Sequence, residues 1–198
     1  MNVNILVKKQ NGLIIPAKAH PDDACYDVIA TSDPNIVGIP YNKPVDGIVG
    51  WSKIDYIEYK TNLFLAPQDG DALCEAYFHA ETSREKSARV LKYHLHGFSR
   101  SSVRKKNLVL ANSVATLDNG YRGEITFCFK YILQPEDLLM VPEYGISRFI
   151  AVLKPENVYA KGDKIVQMEA EANITMNFVP VDELGETARS TGGFGSTG

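Results

Sequence analysis

The sequence lacks the features that mark secreted, membrane-spanning and nucleic-acid-coating proteins. No apolar run approaches the roughly 20 residues that a membrane span needs, and the first residues lack the apolar stretch of a secretory signal. There are 21 basic and 24 acidic residues, for a net charge of −3, whereas proteins that coat nucleic acid are normally basic. We therefore expect a cytoplasmic protein that binds neither nucleic acid nor membranes.

Cysteine is also scarce. The chain has three cysteines, Cys25, Cys74 and Cys128, which stand far apart and show no CxxC or zinc-type spacing. An odd number of isolated cysteines in a cytoplasmic protein is typical of reduced thiols. We expect neither a disulfide framework nor a structural zinc site made of cysteines.

What the sequence does contain is β-strand patterning. In residues 121–131, Ile125, Phe127, Phe129 and Tyr131 fall on one face and polar residues on the other, the period-2 pattern of a half-buried strand. Similar short runs lie at residues 4–7, 57–65, 91–95, 149–153 and 165–170, and only residues 82–91 look helical. Ten prolines and 15 glycines punctuate the rest, as many short strands require. The fold predicted is an all-β sandwich or barrel.

The length of 198 residues suits one domain, which we assign to residues 1–184. Stretches near 34–52, 69–89 and 134–161 look like insertions into it. Residues 185–198 form a glycine-rich tail in which Phe194 is the only large apolar side chain. The composition of this tail allows two interpretations. It is either a disordered terminus, or a flap that becomes ordered around a ligand with an anionic group and a planar nucleobase.

Five short segments, taken in order, resemble the motifs of the trimeric dUTPase family. They are Ala24-Cys25-Tyr26-Asp27-Val28, Ser99-Arg100-Ser101-Ser102, residues 117–125 (Leu-Asp-Asn-Gly-Tyr-Arg-Gly-Glu-Ile), residues 162–167 (Gly-Asp-Lys-Ile-Val-Gln), and residues 189–198 (Arg-Ser-Thr-Gly-Gly-Phe-Gly-Ser-Thr-Gly). The resemblance implies a distorted jelly-roll or β-barrel fold and a homotrimer whose C-terminal arms are exchanged between subunits. It also implies active sites shared between subunits.

The resemblance implies hydrolysis of dUTP to dUMP and pyrophosphate, with water attacking the α-phosphorus. Asp118 would be the general base, at a turn that would place its carboxylate at a hairpin tip. Tyr121 would pack against the deoxyribose, and the hairpin backbone from Asn112 to Leu117 would bind the uracil edge. Mg²⁺ would be held by phosphate oxygens and waters, with no direct protein ligand.

The family motifs also imply where the triphosphate and the closing arm bind. Asp27 would support the phosphate-binding part of the site, with its carboxylate near the water shell of the metal. Phe194 would stack over the uracil when the arm closes. The remaining residues implied to bind substrate are Arg100, Ser101, Ser102, Gln167, Arg189, Gly195, Ser196 and Thr197.

Three departures from the family pattern indicate a divergent member. A viral or phage source is one interpretation that they leave open, and under it the protein would act in the host-cell cytoplasm. Cys25, Ser102 and Ala115 stand where the family usually has glycine, and none of these changes removes a reacting group. The related dCTP deaminases place a catalytic glutamate where this chain has Cys128, which argues against deamination. A nucleotide-dependent regulatory protein on the same fold remains the main alternative.

His94 and His96 form a pair on one strand face, with Cys74 and His79 upstream. Their alternation on an exposed strand face accounts for them. A transition-metal site is the minor alternative, because no spacing determines a fourth ligand.

Overall fold

The computed structural model describes residues 3–45, 47–68, 92–174, 176–183, 185 and 187. Within these ranges the chain forms twelve strands: β1 (Ile5–Val7), β2 (Tyr26–Ile29), β3 (Asn35–Pro40), β4 (Trp51–Leu63), β5 (Leu65–Pro67), β6 (Tyr93–Ser99), β7 (Leu108–Leu110), β8 (Val114–Leu117), β9 (Ile125–Tyr131), β10 (Leu138–Glu143), β11 (Ile146–Ala151) and β12 (Lys164–Ala172). Short 3-10 helices lie at Ser101–Lys105, Pro135–Asp137 and Pro155–Asn157. In the part of the chain so described, no helix has the length and apolar character needed to cross a membrane.

The described strands form three antiparallel sheets. The largest has the order β10-β11-β4-β9-β7, with β3 also paired to β4, and a four-stranded sheet has the order β2-β12-β6-β8. β1 pairs with β5 in a small third sheet. The prediction of an all-β fold is confirmed.

Strand alternation builds the core between the two larger sheets. Ile125, Phe127 and Phe129 of β9 are buried, and they pack in one cluster with buried residues of β6 and β12. Phe129 packs edge-on against the ring of Tyr59, 5.7 Å away. The Tyr59 hydroxyl donates to the carbonyl of Tyr159 at 3.2 Å, so this buried hydroxyl has a partner. Burial raises the pKa of Tyr59 well above its usual range.

Two of the predicted insertions carry strands. Residues 34–52 contain β3 and the start of β4, and residues 134–161 contain β10 and β11. They meet where Trp51 pairs with Ala151, so both stretches extend the same side of the six-stranded sheet. The third stretch, 69–89, and the predicted helix at 82–91 lie outside the described residues.

The prediction that Asp118 lies at a hairpin tip is wrong. β8 pairs with β6, whereas β9 pairs with β4 and β7, so the turn at Asp118 connects two different sheets. The same holds for the connection at Asn112, because β7 and β8 also belong to different sheets. Alternation in the sequence indicates which face of a strand is buried, but it leaves the pairing partner open.

Candidate functional site

Asp118 follows the last residue of β8 and lies at the rim of a cavity of about 180 Å³. A backbone hydrogen bond of 3.0 Å from the Tyr121 amide to the Asp118 carbonyl closes the turn. The side-chain amide of Asn119 donates to the carbonyls of Tyr93 at 3.0 Å and Pro67 at 3.4 Å, which ties the turn to two neighbouring strands. The exposed Asp118 carboxylate is therefore carried on a fixed backbone.

Tyr121 lines the same cavity. Its hydroxyl donates to the carbonyl of Glu124 at 3.0 Å, and its ring lies over Gly123. A Cβ atom on Gly123 would come within 2.6 Å of the Tyr121 Cζ atom. The absence of a side chain at Gly123 thus allows the ring to lie flat at the cavity rim, where it is still 47% exposed.

A second polar cluster forms where β2, β6 and β12 run side by side. Arg100, which follows β6, donates from Nε to Asp27 Oδ1 at 2.7 Å. Lys164 Nζ lies 2.8 Å from Asp27 Oδ2. Arg100 also donates from Nη1 to Ser102 Oγ at 3.3 Å. These contacts hold the guanidinium in one orientation while it retains further N–H donors, since arginine has five.

The Asp27 carboxylate is matched to these two cations. Burial alone would raise its pKa, but the hydrogen bonds and charges of Lys164 and Arg100 outweigh burial and lower the pKa below its usual value. Gln167 pairs with Asp27 across the β12–β2 ladder. The structure therefore brings together Asp27, Arg100, Ser102 and Gln167 as the motifs implied, with the exposed Ser101 beside them.

The structure does not bring Arg100 next to Asp118 within one chain. Leu117 pairs with Leu95 and Val114 with Phe98, so Asp118 and Arg100 lie at opposite ends of the β6–β8 pair. Along the direction of β6, the positions of Asp118 and Arg100 are six residues apart, which is roughly 20 Å at the usual rise of a strand. The exposed Asn112 lies before the start of β8, likewise at the other end from Asp118.

Some residues of these clusters are not assigned a role by the sequence pattern. Lys164 lies inside the fourth motif. A half-buried Asp27 paired with a single arginine indicates that a second cation is needed, and Lys164 is that cation. Asn119 looks from the sequence like a turn residue only. The tail residues Arg189, Phe194, Gly195, Ser196 and Thr197 lie outside the described residues.

Comparison with known proteins finds relatives that are dUTP-hydrolysing enzymes by name. No protein-family model matches the sequence. The deoxyuridine 5'-triphosphate nucleotidohydrolase of Desulfitobacterium hafniense is 36% identical over 102 residues, which is 51% of this chain and 54% of that protein. The chain therefore spans about half the length of that relative. The enzyme of the same name from Clostridium novyi is 29% identical over 197 residues, 99% of each chain.

Over nearly its whole length this chain is similar to dUTPases.

Solved structures are similar to this chain in fold. The dUTPase of Staphylococcus bacteriophage 80alpha, solved with dUPNHPP, aligns with a TM-score of 0.61 at 18% identity over 98% of each chain. The dUTPase from phage phi11 of S. aureus, described with a structural Mg(II) ion, aligns with a TM-score of 0.55 at 18% identity. That alignment covers 91% of this chain and 97% of the phi11 chain.

Cys128, which the sequence resemblance places where dCTP deaminases have a glutamate, lies half-buried on β9 opposite Glu58. Burial, followed by the charge of Glu58, raises the pKa of the Cys128 thiol. A neutral thiol in this position is a poor proton-transfer group near neutral pH.

Proposed function

We propose that this chain hydrolyses dUTP to dUMP and pyrophosphate, with Asp118 orienting the attacking water and accepting its proton. The observation that carries the proposal is that Asp118 and Tyr121 line one cavity, on a turn braced by Asn119. A carboxylate used as a general base must reach water and the reacting phosphorus, and the exposed Asp118 side chain meets that requirement.

Tyr121 serves as the selector for deoxyribose. Its ring is held by the hydrogen bond to Glu124 and by contact with Gly123. A ring fixed in this way can pack against the 2′ carbon of a deoxyribose and leave no room for a 2′-hydroxyl. The energetic basis is steric exclusion, which a mobile ring would not provide.

The cluster of Asp27, Arg100 and Lys164 binds the triphosphate. Arginine is suited to this because its planar fork can contact two phosphate oxygens. Asp27 acts through Arg100: both of its oxygens already contact cations, so it orients the guanidinium. Each oxygen contacts one cation and keeps a further lone pair, so the expectation that Asp27 lies near the metal's water shell stays a prediction.

Mg²⁺ fits this arrangement as an ion held by the substrate. Asp27 already contacts two cations, and Mg²⁺ usually keeps several waters, so phosphate oxygens and waters would supply the ligands. When bound, the ion would neutralise phosphate charge and favour in-line displacement. The cations Arg100 and Lys164 of the cluster bind the phosphates, and Ser101, Ser102 and Gln167 add polar contacts to them.

A complete site requires more than one chain. Asp118 and Arg100 lie at opposite ends of the β6–β8 pair, and a triphosphate is much shorter than the roughly 20 Å between their levels. We propose a homotrimer in which Asp118 of one subunit faces Arg100 of another. The arm at residues 185–198 of a subunit would close over this site, with Phe194 on the base and Arg189 on the phosphates.

The deciding experiment is a nucleotide panel. The full chain is incubated with dUTP, dCTP, dTTP or UTP and Mg²⁺, and the products are separated by chromatography. We expect dUMP and pyrophosphate from dUTP alone, and a loss of about 10²–10⁴-fold in kcat for Asp118→Asn. Asp22→Asn, which alters an exposed aspartate in another turn, is the matched control and should retain full activity. Formation of dUTP from dCTP would contradict the proposal.

A regulatory role is a second candidate, favoured by the β10–β11 hairpin. Met140, Ile146 and Phe149 on this hairpin are each more than half exposed, and exposed apolar patches often bind proteins. The phage 80alpha dUTPase is described as controlling transfer of virulence genes by a G protein-like mechanism. A partner that is retained with a non-hydrolysable dUTP analogue, and lost when residues 138–151 are replaced by a short turn, would support this role.

A further inference from the structure

The outer face of β6 and β12 carries a histidine pair that dUTP hydrolysis does not use. His94 and His96 project from the same face, because strand residues two apart point the same way. Their Nε2 atoms lie 3.0 Å apart. Together with Glu171 of β12 they form a group whose potential ligand atoms all lie within 4.8 Å of one another.

Hydrogen bonding determines which nitrogen of each ring carries the proton. His96 Nδ1 lies 3.1 Å from the Glu171 carboxylate, and His94 Nδ1 contacts the side-chain oxygen of Asn173. Both oxygens accept hydrogen bonds, so both Nδ1 atoms carry hydrogen. A neutral imidazole has a single N–H. In the neutral tautomer that these contacts favour, both Nε2 atoms present lone pairs, 3.0 Å apart.

Two lone pairs this close repel unless a proton bridges them or a metal ion, lying to one side of the line between the nitrogens, binds both. We propose that His94 and His96 bind one divalent transition-metal ion, such as Zn²⁺, through their Nε2 atoms. Glu171 and Asn173 are positioning residues that hold the rings through Nδ1. A histidine that ligates a metal with one nitrogen and donates from the other to a carboxylate is the usual arrangement in metal sites.

The geometry suits zinc better than magnesium. With Zn–N bonds of about 2.0–2.1 Å, two tetrahedral ligands stand roughly 3.3 Å apart, so the rings need to move by only a few tenths of an ångström. Imidazole nitrogen favours zinc, copper and nickel, whereas magnesium favours oxygen. His96 itself keeps 19% of its side chain exposed, so water can reach the pair and complete the coordination of the ion.

The test is a titration of the full chain with ZnCl₂, without nucleotide because a triphosphate would itself chelate the metal. Calorimetry should detect binding of a single ion per chain at this site, lost in both His94→Ala and His96→Ala. His20→Ala, at an exposed histidine outside the pair, is the matched control and should bind as the wild type does. Wild-type binding that survives both substitutions, or no binding at all, would overturn the proposal.

Three further measurements test the role of Glu171 and distinguish a metal held by the histidine pair from a metal held by cysteine and from a pair that only shares a proton. Glu171→Gln should weaken binding by about 10–100-fold without changing the number of ions bound. Unchanged affinity would refute its positioning role. Co²⁺ bound at the pair should give a d–d spectrum without a thiolate charge-transfer band, whereas such a band would place the metal on cysteine. Detection by NMR of a proton shared between the two Nε2 atoms, both before and after metal is added, would also contradict the proposed metal site.

Discussion

Subunit complementation tests the placement of Asp118 and Arg100 most directly. Asp118→Asn removes the proposed base, and Arg100→Ala removes the proposed phosphate ligand, so each homotrimer should be inactive. If every site takes Asp118 from one chain and Arg100 from another, a trimer mixed from the two variants contains intact sites. The structure predicts this, because the two residues lie at opposite ends of the β6–β8 pair.

The activity recovered by the mixed trimers can be calculated. With equal amounts of both variants and random assembly, each of the two chains contributing to a site has an even chance of carrying the intact residue. About a quarter of all sites should then be complete, averaged over every trimer formed. Pyrophosphate release from dUTP should rise to about a quarter of the wild-type rate, against a background reduced by about 10²-fold or more in each parent.

The matched control uses two substitutions within one cluster. Asp118 and Tyr121 lie on the same turn of the same chain, so mixing Asp118→Asn with Tyr121→Ala should restore nothing. If Arg100→Ala fails to fold by thermal unfolding, Arg100→Gln keeps a donor for Asp27 and takes its place. A mixture of folded Asp118 and Arg100 variants that stays at the parental rate would refute the shared site.

Three other substitutions probe the two clusters and the core. Asp27→Asn should cost about 1–3 kcal/mol near neutral pH, because Arg100 loses its charged partner. The pKa of Asp27 in the folded protein lies below the usual ~3.9. The extra stability of the wild type over Asp27→Asn should therefore be complete above about pH 3.9 and vanish as the pH falls through the lowered pKa. Thermal unfolding across an acid series measures this, and a pH-independent difference would contradict it. Gly97→Ala would place a Cβ 2.6 Å from the Phe127 ring, so the urea midpoint should fall by the equivalent of about 1–3 kcal/mol with an unchanged m-value. Gly123→Ala would bring a Cβ against the Tyr121 hydroxyl and displace the ring, which should lower the dUTP-over-UTP ratio of kcat/KM; an unaltered ratio would argue against the ring as selector.

Local alternation makes much of the fold predictable. It predicts that Ile125, Phe127 and Phe129 lie on the inner face of one strand, and that prediction is confirmed. The runs at 4–7, 149–153 and 165–170 each overlap an observed strand. Such predictions succeed because side-chain direction in a strand depends only on residue parity.

Strand pairing is less accessible from the sequence. The turn at Asp118 has the composition of a hairpin tip, yet its flanking strands belong to different sheets. Glycine, asparagine and aspartate favour turns of many kinds. Which strands they connect depends on contacts with β4 and β6, which are distant in sequence.

The sequence by itself determined the β-class of the fold, the order of the five motifs and the chemical identity of the site residues, because each depends on local pattern or residue type. Only the tertiary structure decided the spatial relations among them. It joined Asp27, Arg100 and Lys164 into one ion-paired cluster, separated that cluster from Asp118, and turned the rings of His94 and His96 toward each other. The physical reason is that ladder register and sheet order arise from packing between distant segments, and these relations set the distances on which binding and catalysis depend.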